Sequence, residues 1–484
     1  MKFNIKWLLY LPILFFFLPG FSFYLPGLKG VYKFFYISLY FSIVIIFVLD
    51  RKYFINKFIS ICKKTPLIYF IIFLLFIIVN SFVLSLFDIA SISHTIRYIA
   101  IYIILCILPT IVYFIYIIKK HLGLVRFIKI FLFLFWINLI LGVIAYIGRW
   151  FDISLINGLF DFFNNSRILD TLHEGTAEQT SEVYFLTKRL CGLFEEPGFL
   201  GQFLFIFLPF VYTFSEINVK LCNNNLFNKI FKITLVPLTW SNIILTLSPI
   251  TLVFACIISF FYYIQPILNL IKKYYIAIVA LISLVVAIVI KIDFSETYIS
   301  RIINIIINIH SFEEFILIEP SLATRVASYI NEFQIFLSHP FTGIGLGNLK
   351  NYMYAQYLNS PVALTPEIIG RTKLSIQMGG GAMFNSGFMY ALLAENGIFA
   401  YSILVCFYIK TFYFINKFKN ISNKNSYEYL VFKSLYYTMF CLLILSFYNL
   451  NLLSQYLHLI IAISAISIYT TKSKQINNVF KEQE

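Results

Sequence analysis

Apolar residues run along this chain in blocks of roughly 17 to 25, the length at which a helix crosses a bilayer core. Twelve blocks can be marked, at about 7–24, 31–49, 66–87, 97–118, 128–147, 199–215, 230–246, 250–268, 274–290, 385–409, 430–448 and 451–470. Most connectors are short, and the pair around Leu247-Ser248-Pro249 has almost none. Two are long and polar, residues 149–198 and 291–382. Backbone polar groups in lipid must be satisfied within the segment, which leaves helix for runs of this length. The pattern predicts an all-α polytopic membrane protein of about twelve transmembrane helices. Residues 1–484 then form a single integral membrane domain with two long loops. The first block has the basic start of a signal peptide but no small-residue cleavage site, and further spans follow at once, so it reads as retained.

Charge orients this outline. With the N-terminus inside, 24 of the 37 Lys and Arg fall on the inner side, including Arg51-Lys52, Lys63-Lys64, Lys119-Lys120 and Lys272-Lys273 in short loops. Basic residues in short loops mark the cytoplasmic side, so both termini are expected there. Charged residues make up 12% of the chain, against about 25% in soluble domains, which excludes a soluble globular protein. The net charge of +15 follows from topology, and no basic block has the aromatic interleaving of a nucleic-acid site.

The acids lie elsewhere: 15 of the 22 sit in the two long loops, now extracytoplasmic. Long loops concentrate function, so ATP and nucleotide sugars are not expected as direct substrates. In the second loop, Val326, Ile330, Phe333 and Leu337 recur at helical spacing, with Arg325, Ser328 and Glu332 opposite. This predicts a short amphipathic helix on the membrane surface, presenting Arg325 to the headgroup region. Gly343, Gly345 and Gly347 predict a tight turn; a dinucleotide fingerprint needs a preceding strand, a following helix and a third glycine that this spacing lacks. Gly379-Gly380-Gly381 reads as a hinge before the tenth span. Of seven cysteines only Cys191 lies outside, so no extracytoplasmic disulfide is expected within the chain, and no spacing suggests a metal site or cofactor.

Four further features carry candidate chemistry. Glu395 falls inside the tenth span, where an ionisable group is costly and has a functional or paired role. Arg97, at the outer end of the fourth span, suits an anionic headgroup or a snorkelling anchor equally. His173, His310 and His339 lie outside, and each alone is more often a surface histidine than a base. Finally, Arg189 to Gly201 holds an arginine, Glu195, Glu196, Pro197 and three glycines at the bilayer edge. The acids and the proline read as a capped helix start, and a guanidinium before the cap can hold phosphate oxygens.

These motifs together resemble a known family. Arg189-x-x-Gly192-x-x-x-Glu196-Pro197-x-x-x-Gly201 resembles the motif that opens the core of the Wzy-type O-antigen polymerase and O-antigen ligase superfamily. Thr246-Leu247-Ser248 resembles its next element, although Pro249 stands where the family often has arginine. Arg325 followed by His339-Pro340-x-x-Gly343-x-Gly345-x-Gly347 resembles its second long loop, and Asn385-Ser386 with Glu395-x-Gly397 the span closing the core. Ligases of this superfamily usually carry a histidine where Ser386 stands, which favours a polymerase.

The resemblance implies a GT-C-like membrane glycosyltransferase in the bacterial plasma (inner) membrane. It would join undecaprenyl pyrophosphate-linked oligosaccharide units on the outer face, without cofactor or metal. Arg189 and Arg325 are expected to offset the leaving pyrophosphate, with Arg97 a third cation. Glu196 is the first candidate for general base and His339 the second. Gly192, Glu195, Tyr184, Tyr329, Ser386 and Glu395 are the expected substrate contacts. Partners would be the lipid-linked donor and acceptor, membrane lipid, a chain-length regulator and a flippase, with no nucleic acid. An O-antigen ligase and a lipid-linked oligosaccharide flippase are the rival readings.

Overall fold

The computed structural model describes residues 5–25, 30–87, 89–163, 190–194, 197–216, 224–246, 248, 251–264, 320–349, 352–353, 388–424, 426–448 and 454–481. Pro19-Gly20 decides how the chain begins. A 3-10 turn, Ile5–Tyr10, leads into α1 (Leu11–Phe16), and the helix then stops. Proline cannot extend the hydrogen-bond ladder and glycine has little to lose by turning. The chain continues as an antiparallel hairpin, β1 (Ser22–Leu25) with β2 (Gly30–Lys33), registering Phe23 with Tyr32. Within the expected span over 7–24 the helical part is short and apolar, Trp7–Phe16. The carbonyls freed at its end are still satisfied: Asn138 donates to Phe17 O at 2.9 Å and Gln455 to Phe16 O at 3.4 Å.

The remaining described chain is helical. In order come α2 (Phe34–Lys64), α3 (Leu67–Leu86), α4 (Thr95–Leu122), α5 (Leu124–Trp150), α6 (Ser154–Phe163), α7 (Pro197–Ser215) and α8 (Asn225–Leu245). Then follow α9 (Thr251–Ile264), α10 (Pro320–Ser338), α11 (Phe388–Ile421), α12 (Tyr427–Tyr448) and α13 (Gln455–Lys481). Seven of these, α2, α3, α4, α5, α7, α11 and α12, are long and apolar enough to cross a membrane. Outward faces are apolar, with Phe41, Val44 and Val48 of α2 and Leu75, Val79 and Leu86 of α3 all exposed. An apolar exterior of this kind suits lipid, as in an all-α membrane protein. The expected span over 274–290, most of the two long loops and Gly379-Gly380-Gly381 lie outside the described residues.

Helix α7 is the centre. Nearly every side chain from Phe203 to Phe214 is buried, and α7 packs on α8 and α12. Around it Phe131, Phe203, Phe207 and Tyr456 pack as neighbouring rings. Helices in lipid gain little from apolar contact alone, so close approach and polar bonds hold them. Asn242 donates to Leu139 O at 3.1 Å, and a side chain at Gly142 would strike its amide. Trp136 reaches Thr234, and Trp240 reaches Tyr212, both at 2.9 Å.

Ion pairs join Asp50 to Lys120, Glu216 to Lys433 and Glu428 to Lys474, all on segments read as inner. Leu190 with Leu245, and Ser91 with Asn348, join segments read as outer.

Candidate functional site

Helix α10 carries the first surprise. Its period is helical, as the spacing predicts, but it is turned the other way. Ala327, Ser328, Asn331, Glu332 and Ile335 are buried, whereas Ile330, Phe333 and Leu337 are exposed. The expectation of a surface helix presenting Arg325 outward is corrected: the polar face turns into the protein, toward α11. The physical reason is the solvent. Against lipid an apolar face costs nothing outside, and polar groups must find partners inside.

Arg325 finds its partner on α12. Its Nη1 donates to the Tyr448 hydroxyl oxygen at 3.3 Å, and the guanidinium carbon lies 5.9 Å from that ring's centre. One turn along α10, the Tyr329 hydroxyl donates to the Tyr448 carbonyl, and its ring stacks on Tyr390 of α11 at 4.9 Å. Burial, and then Tyr448 beside it, push the Tyr329 phenol up, with Arg325 only partly opposing, so Tyr329 stays protonated. Glu332, fully buried on the same face, adds negative charge near Tyr329. Asn331 Nδ2 is buried and has no hydrogen-bond partner among the described residues.

Tyr448 links this cluster to the stretch that opens the resemblance. Its ring lies 5.8 Å from Phe254 of α9, and Phe254 lies 5.8 Å from Phe205 of α7. At the start of α7, a side chain on Gly201 would come within 2.3 Å of Thr251 Oγ1, which donates to Ser248 Oγ at 2.9 Å. Just upstream, Leu190 N–H donates to Leu245 O at 2.9 Å. Gly192 takes φ +58° in a buried turn, where an added side chain would touch Gly142 Cα. The glycine is thus a turn and packing residue in this position. Arg189, Glu195, Glu196, Tyr184 and Ser386 lie outside the described residues.

A second cluster sits at the other end of α10. Gly397 breaks α11 at φ +67°, which frees the carbonyls of Ala394 and Glu395 from their usual helical donors. The loop after α10 replaces those donors. Ile344 N–H donates to Ala394 O at 3.1 Å and Gly345 N–H to Glu395 O at 2.7 Å, while Ile398 N–H returns a bond to Pro340 O at 2.9 Å. The Glu395 carboxylate completes the exchange, accepting from Gly347 N–H at 2.9 Å and Leu349 N–H at 3.4 Å. Gly343, Gly345 and Gly347 all take positive φ, as a tight turn requires. Asn80 and Ser81 of α3 bind the same loop, and Tyr98 covers Gly347. Glu395 is held as a loop latch, and Asn396 beside it buries an amide that has no hydrogen-bond partner among the described residues.

His339 closes α10, its ring 6.1 Å from that of Tyr352. Fourteen residues of helical rise, about 21 Å, separate it from Arg325. The two therefore do not share one reacting centre. Arg97 is exposed on α4, next to Tyr98 and so beside the latched loop. Tyr448, Tyr390, Ser328, Asn331 and Glu332 were not singled out as site residues from sequence. For the last three the signal was present as the polar stripe of α10. Among the described residues no group of His, Cys, Asp and Glu is placed to hold a metal ion. No family model matches the chain, and no curated protein matches it.

Proposed function

We propose that this protein is a surface-polysaccharide polymerase, a glycosyltransferase joining undecaprenyl pyrophosphate-linked oligosaccharide units on the outer face of a bacterial plasma membrane. In this reading the chain has about twelve spans, a GT-C-like arrangement and both termini in the cytoplasm. A hydroxyl oxygen of the acceptor attacks the anomeric carbon of the donor glycan. The bond from that carbon to the pyrophosphate oxygen breaks, and the hydroxyl proton passes to a carboxylate. Negative charge gathers on the leaving lipid pyrophosphate, and fixed cations offset it.

One observation supports the reading: Arg325 and Gly201, which closes the opening motif, are far apart in sequence yet both connect to α9, Arg325 through Tyr448 to Phe254 and Gly201 by its packing on Thr251. Arg325 and Arg189 are the cations in this scheme. The helical rise between Arg325 and His339 disfavours His339 as base, which leaves Glu196, the residue before α7 in sequence. Arg97, Glu195, Tyr184, Tyr329 and Ser386 would bind glycan or headgroup, and Gly192 would keep the opening turn tight. The rivals are a ligase, which Ser386 disfavours, and a flippase, which would place charges within its spans.

The test is complementation of a strain lacking its polymerase, reading both membrane level and polysaccharide ladder. Arg325→Ala should leave the protein inserted and abundant while surface glycan collapses to single repeats on complete core. Loss of glycan altogether would point to ligation or flipping instead. A full ladder from an abundant Arg325→Ala protein would overturn the assignment.

A further inference from the structure

On the side read as cytoplasmic, three ammonium groups from two helices converge on one ring, and a fourth lies one helical turn away. The Nζ atoms of Lys57, Lys119 and Lys64 lie 5.1, 5.3 and 5.8 Å from the centre of Tyr469, a buried residue of α13. Lys472, one turn on, donates to Lys64 O at 2.9 Å and lies over the Phe414 ring at 3.7 Å. Ser60 meets the Tyr469 hydroxyl at 3.4 Å, which adds polar hydrogens to the same patch.

The contrast with neighbouring lysines is informative. Lys120, Lys433 and Lys474 each pair with a carboxylate, but among the described residues none of these four does. Burial, and then the charge of Lys57, push the Lys119 ammonium pKa down, and burial and then Lys417 do the same to Lys472. A cation over a ring gains modest attraction, and among the described residues no carboxylate pairs with the cluster, so it keeps a net positive field. Lys57, Lys119 and Lys472 are also partly buried, which weakens screening by salt.

We propose that Lys57, Lys64, Lys119 and Lys472 around Tyr469 form a binding site for the phosphate headgroup of an anionic inner-leaflet lipid. The site commits to lipid rather than to a soluble phosphate because Lys57 and Lys64 follow the apolar part of α2 and Lys119 the apolar part of α4, both membrane-length helices, so that headgroups would meet them. It is independent of the catalytic reading, since only binding is tested.

The probe is phosphatidylglycerol, with phosphatidylcholine as the uncharged comparison, titrated onto purified full-length protein in detergent and read by native mass spectrometry. Each lysine is worth about fivefold near an anionic headgroup. The triple variant Lys57→Gln, Lys119→Gln, Lys472→Gln should lose about a hundredfold of its phosphatidylglycerol affinity. Lys120→Gln, Lys433→Gln, Lys474→Gln removes the same charge from paired lysines and should lose less than threefold. Equal losses in the two triples would show a net-charge effect and sink the site. Binding of inorganic pyrophosphate without preference for phosphatidylglycerol would also overturn it. Should the triple fold poorly, a milder series decides: phosphatidylglycerol should raise Tm in the unmodified protein and in Lys119→Arg, and much less in Lys119→Gln. A rise undiminished in Lys119→Gln overturns the assignment.

Discussion

Arg325 shows how one side chain can be read two ways until its neighbours are known. A guanidinium at the bilayer edge can be an anchor or a ligand for phosphate, and here it is half-buried against Tyr448. Tyr448 uses one donor of the fork, and the others have no hydrogen-bond partner among the described residues. We expect Arg325→Ala to lower chain growth by about 10²–10³, with membrane abundance unchanged. Arg325→Lys should rescue poorly, because an ammonium cannot make a bidentate contact; a complementing ladder in the lysine variant would favour a structural role. Tyr448→Phe removes an acceptor that orients the guanidinium, worth about 1.5 kcal/mol or roughly tenfold in rate. Its phenotype should therefore be intermediate, measured as shortened chains at normal protein level. Glu395 is a different case. As a latch it needs an acceptor atom more than a charge, so Glu395→Gln should keep activity. Glu395→Ala should expose the amides of Gly347 and Leu349 to hydrogen exchange, at a cost of about 1–3 kcal/mol to the loop. Loss of activity in Glu395→Gln with exchange unchanged would return Glu395 to the substrate contacts.

At the scale of elements, two helices depart from what local pattern implies. Helix α11 runs through Gly397 with its backbone broken, and the loop 340–349 repairs the break by exchanging hydrogen bonds with it. A side chain at Gly397 would fall 2.2 Å from Phe341 O, in a conformation L residues rarely adopt. Gly397→Ala should cost about 1–3 kcal/mol and reduce membrane level. Gly158→Ala on α6, where an added carbon meets nothing within 4 Å, should be neutral or gain up to about 1 kcal/mol in helix preference. The pair is read by quantitative blotting and thermal melts of the two proteins. Helix α10 departs through its orientation. Its apolar stripe was legible in Val326, Ile330, Phe333 and Leu337, but a stripe has the same period whether it faces a core or a lipid tail.

The whole molecule repeats that ambiguity with charge. Lysines and arginines imply which loops share a side, and the inner-side ion pairs Asp50–Lys120, Glu216–Lys433 and Glu428–Lys474 agree with the alternation. Cys191 is buried and so is a poor topological reporter. Better positions are Leu155 on α6 and Lys52 on α2, both exposed. In a variant without native cysteines, Leu155→Cys should react with a membrane-impermeant maleimide on intact cells. Lys52→Cys should react only after the membrane is opened. The reverse pattern would invert the orientation, and with it the proposed site of chemistry.

What the chain determined by itself is the part that depends on length and composition. Apolar runs long enough to cross a bilayer imply helices wherever they fall, since no other local structure satisfies its own backbone there. Pro19-Gly20 likewise stops α1 early, although an apolar run continues past it. Tertiary structure decided what depends on partners. It turned the polar stripe of α10 inward and joined Arg325 to Tyr448, 123 positions away. It also set Glu395 on two loop amides and gathered three lysines about Tyr469, with Lys472 beside them. The physical reason is that hydrophobicity is non-directional and can be read from residues one at a time, whereas a hydrogen bond or a charge takes its value from the group opposite. That group is set by how the helices pack.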